Sequence, residues 1–279
     1  LRTKQPHLER LARGATVQGV TREAVSDMAV PLPPLHEQQR IAEVLGRAEA
    51  LRVKRRAALS QLDTLTQSIF LDMFGDPEAN PKQWAAGTPL GDVSDIVSGI
   101  TVGRQVNGQQ VRPVRYLAVV NVQDKALDLS VAKTIDATED EIRRFRLRAD
   151  DLLLTEGGDP DKLGRGTLWK NEVPECIHQN HIFRVRLTSD KVHPLFLNWL
   201  VGSNRGKRYF LKSAKQTTGI ASINMTQLRG FPLLIPPLAL QHEFARRIAA
   251  AEGLKSAHQA SLAEFDALFT SLQHRAFRA

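Results

Sequence analysis

From Leu35 to Phe74 apolar side chains recur at alternating steps of three and four, through Ile41, Val44, Ala48, Leu51, Ala58, Leu62, Leu65 and Ile69. That spacing lines them up along one narrow seam of an α-helix. At 1.5 Å per residue, some forty residues make a rod of about 60 Å. Pro33 and Pro34 stand just before it, where missing N–H groups cost little, and Gly75-Asp76-Pro77 forms a stop. The pattern then returns near the other end of the chain. Pro33-Pro34-Leu35 is answered by Pro236-Pro237-Leu238, Gln38 by Gln241, Ala42 by Ala245, Glu49 by Glu252, Asp63 by Asp266 and Phe74 by Phe277. The second seam comprises Phe244, Ile248, Ala251, Leu254, Leu262, Phe265, Leu268 and Leu272, and polar Arg55 and His258 interrupt the two copies at equivalent places. A period of roughly 200 residues is far outside the 20 to 50 of a solenoid, so the repeat means two similar helices with a domain between them. A narrow seam needs a partner. Each helix is the other's natural partner in an antiparallel coiled coil, provided the intervening chain returns to its starting end. Two amphipathic helices lying on a domain surface are the alternative, although such faces usually carry a wider apolar stripe.

Between the helices, Gly75 to Leu234 has a different texture. Short β-rich runs such as Arg115 to Val120, Asp151 to Thr155 and His181 to Arg186 are punctuated by Gly-rich turns, while His193 to Val201 and Ser203 to Lys212 read as helical. A mixed α/β (α+β) domain of ordinary size is the expectation. Thr16 to Pro34 parallels Gly219 to Pro237, so residues 1–32 read as the closing piece of a preceding domain of the same kind.

Length and composition sharpen the picture. With 279 residues, 42% of them hydrophobic, the chain can bury a sizeable core. A single cysteine, Cys176, excludes an internal disulfide and fits a cytoplasmic protein, and no cysteine and histidine cluster has zinc spacing. No apolar run approaches a membrane span and the first residues lack a signal-peptide core. The formal net charge of +8 points to a polyanionic partner, nucleic acid among them.

The charge is also local. No acidic residue occurs between Asp190 and Glu243, a stretch carrying Lys191, Arg205, Lys207, Arg208, Lys212, Lys215 and Arg229. Spacings of three to five along Arg205, Arg208, Lys212 and Lys215 set most of them on one helix side, as phosphate contacts require; a solvated basic face has the same composition. Lys215-Gln216-Thr217-Thr218-Gly219 follows with amide and hydroxyl groups, and Gln179-Asn180-His181 is a second polar cluster. Asn and Gln can bond bidentately to adenine in the major groove, although polar triplets before strands are common. The loop Glu156 to Gly166 offers Lys162 and Arg165 to phosphates, or is simply a turn. It lacks the spacing of a methyltransferase cofactor loop or a P-loop, and no catalytic constellation stands out elsewhere.

The order of several short motifs carries a resemblance. Val30-Pro31-Leu32-Pro33-Pro34-Leu35-His36-Glu37-Gln38-Gln39-Arg40-Ile41 marks a domain-to-helix junction, and Phe74-Gly75-Asp76-Pro77 the helix end. Asn80-Pro81-Lys82-Gln83-Trp84 opens the next domain, followed by Leu90-Gly91-Asp92-Val93, Ser98-Gly99, Asn121-Val122-Gln123, Gly164-Arg165-Gly166, Gln179-Asn180-His181 and the second Pro-Pro-Leu. Across essentially its whole length the chain resembles the specificity subunit of type I restriction-modification systems. The resemblance implies two target-recognition domains, each reading half of a split DNA site, separated by two antiparallel spacer helices. It implies a non-catalytic chain without a cofactor or metal of its own. Partner modification subunits would bind S-adenosylmethionine, and a motor-nuclease subunit would use ATP and Mg.

The expected organisation is therefore a remnant of a first recognition domain over 1–32, a spacer helix over 33–75, a recognition domain over 76–234 and a second spacer helix over 235–279. Only the tail of a first recognition domain appears, as in a fragment or a half-length form able to pair into a homodimer through its helices. Arg104, Lys162, Arg165, Lys207, Arg208, Lys212 and Lys215 are the candidate phosphate contacts. Gln179, Asn180, Gln216 and Thr217 are the candidate base readers. Rival readings are a coiled-coil scaffold or inhibitor that reads no DNA, and a stand-alone DNA methyltransferase or nuclease.

Overall fold

The computed structural model describes residues 9–10, 12, 19–27, 33–106, 108–131, 133–159, 163–217 and 220–276. After the short helix α1 (Arg22–Ser26) comes the long helix α2 (Leu35–Phe74), then β1 (Ala85–Pro89), β2 (Ser94–Ser98), β3 (Arg112–Leu117), β4 (Val122–Gln123), β5 (Ala126–Leu127) and β6 (Lys133–Ala137). Next are α3 (Glu139–Phe145), β7 (Leu152–Thr155), β8 (Gly157–Gly158), β9 (Gly166–Leu168), β10 (Cys176–His178) and β11 (Ile182–Leu187). The chain continues through α4 (Pro194–Val201), α5 (Asn204–Ser213), β12 (Lys215–Thr217), β13 (Ile220–Ser222), α6 (Met225–Arg229), β14 (Pro232–Ile235) and the long helix α7 (Leu238–Ala276). Two compact units result: residues 1–66 with 250–279, and residues 67–249.

In the first unit α2 and α7 run antiparallel, because rising numbers on one helix meet falling numbers on the other. Arg52 bonds Asp266, Arg55 Nη1 lies 2.8 Å from His258 Nδ1, and Asp63 takes Lys255 Nζ at 2.9 Å. The Arg52 guanidinium also sits 4.5 Å over the Phe269 ring. Most of the expected seam is occupied: Ile41, Ala48, Ala58, Leu62 and Ile69 on α2, and Phe244, Ile248, Ala251, Leu262, Phe265 and Leu272 on α7, are buried or half-buried. Val44, Leu51 and Leu65 remain 41%, 45% and 46% exposed, as do Leu254 and Leu268 at 55% and 50%. Leu45, Arg52, Arg55, Leu59 and Thr66 turn inward beside the occupied positions on α2, as do Lys255, His258 and Phe269 on α7. The seam thus accepts long cationic side chains whose stems cover apolar surface while the heads of Arg52 and Lys255 reach carboxylates on the facing helix.

The repeated glutamine has one job in both copies. Gln38 Nε2 donates to Pro33 O at 2.7 Å, and Gln241 Nε2 donates to Pro236 O at 2.8 Å, so each side chain clasps the Pro-Pro entrance of its own helix. The parallel extends upstream. Thr21 caps α1 by accepting from Ala24 N at 3.2 Å, as Asn224 caps α6 by accepting from Gln227 N at 2.9 Å. Most of the expected domain remnant over 1–32 lies outside the described residues.

The second unit is layered. An antiparallel sheet in the order β2-β11-β7-β9 has one apolar face against α4, α5 and α6, built on Leu152, Leu154, Phe183, Val185, Phe196, Leu200 and Phe210. Phe70 and Phe74 from the end of α2 and Phe244 from the start of α7 enter the same core, with ring centroids 5.3 to 5.6 Å apart and Trp199 5.6 Å from Phe244. Its opposite face contributes Leu153 and Ile182 to a cluster with Leu117, Trp169 and Cys176, which come from or adjoin a second sheet ordered β10-β3-β6. The Leu152-Leu153-Leu154 run is thus buried on both faces, which is why it shows no alternation. The hairpin β12-β13 joins β8, and β14 pairs with β1.

Candidate nucleic-acid interface

Four segments far apart in sequence converge at one edge of the α/β unit. The turn Gln179-Asn180-His181, between β10 and β11, meets the end of β2, the residue after β7 and, through β8, the β12-β13 hairpin. Most of its backbone is engaged. Gln179 N donates to Leu117 O, Asn180 N to Ile100 O, and His181 O accepts from Glu156 N, each at 2.9 Å, while Ser98 Oγ donates to Asn180 O at 2.7 Å. Gly99 makes the close approach possible, since a Cβ there would lie 1.9 Å from His178 O. The side chains of Gln179 and Asn180, in contrast, are half-buried and hydrogen-bond to none of the described residues. A rigid backbone that leaves amide side chains unspent is suited to reading a ligand's donors and acceptors.

Sequence alone does not nominate Ser98 or Glu156 as contacts, and it names His181 only as part of the polar triplet; all three belong to the same constellation. Glu156 N is tied to His181 O, its carbonyl accepts from Ile223 N at 2.9 Å, and its Oε2 lies 2.6 Å from His181 Nδ1. The strand register continues outward from it: Gly157 pairs with Ser222 and Gly158 with Ala221, while Ser222 and Ala221 pair in turn with Lys215 and Gln216. Two of the sequence-expected polar segments therefore share one neighbourhood. Lys162 lies outside the described residues.

The cationic candidates divide. Lys207 and Lys212 are exposed on α5 with no ion pair among the described residues, and Lys207 lines a cleft of about 400 Å³ with Asp76, Lys125 and Trp199. Arg208 meets Glu78 at 3.0 Å, and Arg205 folds onto Pro232 O. Lys215 is not on their helix, contrary to the expected single face: α5 ends at Ser213, Ala214 is extended, and Lys215 opens β12. Arg104 is clamped by Glu141 at 2.6 Å through both Nε and Nη2 and also donates to Asp136 O. That hydrogen bond holds the Glu141 carboxyl below the usual carboxylate range. Arg165 Nη1 donates to Gln123 Oε1 at 3.2 Å, with its Nε buried and unpartnered among the described residues.

Beneath the turn, His178 is fully buried. Its Nδ1–H donates to Ile182 O at 2.9 Å, and burial pushes its pKa down to about 4. Arg184 is buried beside Asp95, whose Oδ2 accepts from Nη2 at 2.7 Å. Burial pushes the Cys176 thiol up to about 12, so it stays protonated and is a poor nucleophile. Among the described residues no group of His, Cys, Asp and Glu side chains is placed to hold a metal ion, and no helix is long and apolar enough to cross a membrane.

Comparison with known proteins agrees with this architecture. Residues 1–61 match the family described as type I restriction modification DNA specificity domain. The StySPI specificity subunit of Salmonella potsdam is 24% identical over 284 residues, covering 96% of this chain and 61% of that protein; the chain thus spans about three fifths of this relative. The fold is that of the HsdS subunit from Thermoanaerobacter tengcongensis (TM-score 0.52, 20% identity, covering 99% of this chain and 67% of the other). It is equally that of the type I S subunit from M. genitalium (TM-score 0.57, 14% identity, covering 99% and 70%). In its repeated helix entrance, its fold and these matches together, the chain is similar to the specificity subunits of type I restriction-modification systems.

Proposed function

We propose that this chain is a DNA sequence-specificity element that reads one half of a bipartite site through its α/β unit and docks modification and motor-nuclease subunits through its helices. The observation carrying this reading is the convergence of Gln179-Asn180-His181 with Glu156 and the β12-β13 strands, a backbone-pinned polar edge in a protein of net charge +8. Lys207, Arg208, Lys212 and Lys215, with Lys162 and Arg165, supply the phosphate contacts, and Gln179, Asn180, Gln216 and Thr217 the base contacts. Arg104, already satisfied by Glu141, positions its loop and adds little to DNA affinity. The chain performs no chemistry itself. S-adenosylmethionine, ATP and Mg belong to the partner subunits, and the assembly works on cytoplasmic DNA. Leu51, Leu65, Leu254 and Leu268, exposed on the long helices, fit a role in docking. Pairing of two copies through these helices gives a two-fold assembly that reads a symmetric, interrupted site.

Methylation mapping in cells carrying this chain with its modification subunit tests the reading. A single interrupted motif that disappears when the chain is deleted is expected, palindromic where two copies pair. Methylation that persists without the chain overturns the reading, and sedimentation of the chain only as a monomer at working concentration removes the pairing.

A further inference from the structure

The Glu156–His181 pair is conspicuous for where it sits. A hydrogen-bonded pair serving the fold is normally sheltered, yet these side chains are 35% and 55% exposed, and a surface pair contributes little to stability. Meanwhile the backbone around it is held from both sides, by His181 O on Glu156 N and by Ile223 N on Glu156 O. Only one carboxylate oxygen is engaged, by His181 Nδ1; the other meets no donor among the described residues. Two glycines follow. Gly157 lets β8 lie close against β13, because a Cβ there would come within 2.8 Å of Ala221 O, so the strand that follows Glu156 is fixed in place. A carboxylate accepts hydrogen bonds and cannot donate them, and it repels phosphate. In the major groove the donors are the exocyclic amino groups, N4 of cytosine and N6 of adenine.

We infer that Glu156 is a specificity-determining residue that accepts a hydrogen bond from an exocyclic amino group of the target DNA, with His181 as the positioning residue that orients its carboxylate. The inference rests on the DNA-specificity reading above and adds to it the chemistry of one base position. Glu156 excludes keto oxygens at that position, because two acceptors would face each other. His181 holds the carboxylate in one rotamer through a single 2.6 Å bond, so its loss blurs the preference without inverting it.

The experiment is selection from a randomised duplex library by the purified chain, sequenced for wild type, Glu156→Gln and His181→Ala, with salt dependence measured on the winning duplex. Wild type should enrich a motif with cytosine or adenine fixed at one position. Glu156→Gln should relax that position by roughly tenfold or more, leaving the others and the salt slope unchanged. His181→Ala should relax the same position less. Circular dichroism melts accompany each variant, and should Glu156→Gln fail to fold, Glu156→Asp, which withdraws the carboxylate by one methylene, is read in its place. An identical motif in wild type and folded variants overturns the inference alone. So does tighter binding of every sequence with a steeper salt slope, which would put Glu156 beside phosphate. A wild-type chain that enriches no motif sinks the DNA-specificity reading and this inference with it.

Discussion

At the residue scale, burial decides what the titratable groups beneath the polar edge can do. His178 is held near a pKa of about 4 against 6.5 when free, because the interior disfavours its charged form. The unfolded chain therefore takes up a proton first as pH falls. The neutral histidine's contribution is complete above pH 6.5 and is lost as pH drops toward 4, on the order of 3 kcal/mol in all. Denaturation midpoints measured across this window should fall more steeply for wild type than for His178→Gln; equal slopes would remove His178 as the cause. Cys176, protonated and buried, should resist thiol reagents in the native protein and react once unfolded, a contrast readable by absorbance. At this scale the sequence is partly legible. Gln179 and Asn180 stand out as unpaired amides, but Glu156 and Ser98 do not, since their partners lie 25 and 82 residues away and no local pattern joins them. The pairing of Arg104 is hidden for the same reason: Glu141, its counter-ion, is 37 residues distant.

At the element scale, the two long helices, their antiparallel pairing and most of the seam follow from the repeat. Val44, Leu51, Leu65, Leu254 and Leu268 are the exceptions, left in solvent while Arg52, Leu59 and Lys255 turn inward. Leu59→Asp should therefore destabilise the chain by about 1–3 kcal/mol and Leu65→Asp by no more than about 0.5 kcal/mol, compared by denaturant midpoint. The reverse order would put Leu65 in the seam and Leu59 in solvent. Phe244→Ala, which empties the space among Phe70, Phe74 and Trp199, should cost about 3–5 kcal/mol in the same assay.

At the scale of the whole molecule, the division into a rod-like unit and an α/β unit is visible in the change of texture at Gly75 and Leu234, but the compact unit also claims the ends of both helices, from Gln67 and up to Ala249. Hydrophobic patterning cannot reveal that, because it takes the aromatic core to pull them in. Charge acts at this scale too. Lys212 and Lys215 replaced by alanine together should weaken binding to all duplexes alike and flatten the salt slope by about 0.9 per lost contact. An unchanged slope would take both off the interface. The pinned turn at Gln179-Asn180-His181 bears on how such proteins diverge. Since its main chain is secured by neighbours such as Leu117, Ile100 and Glu156, new letters can be written at these three positions without redrafting the page, and the polar character of the edge can drift while the architecture endures.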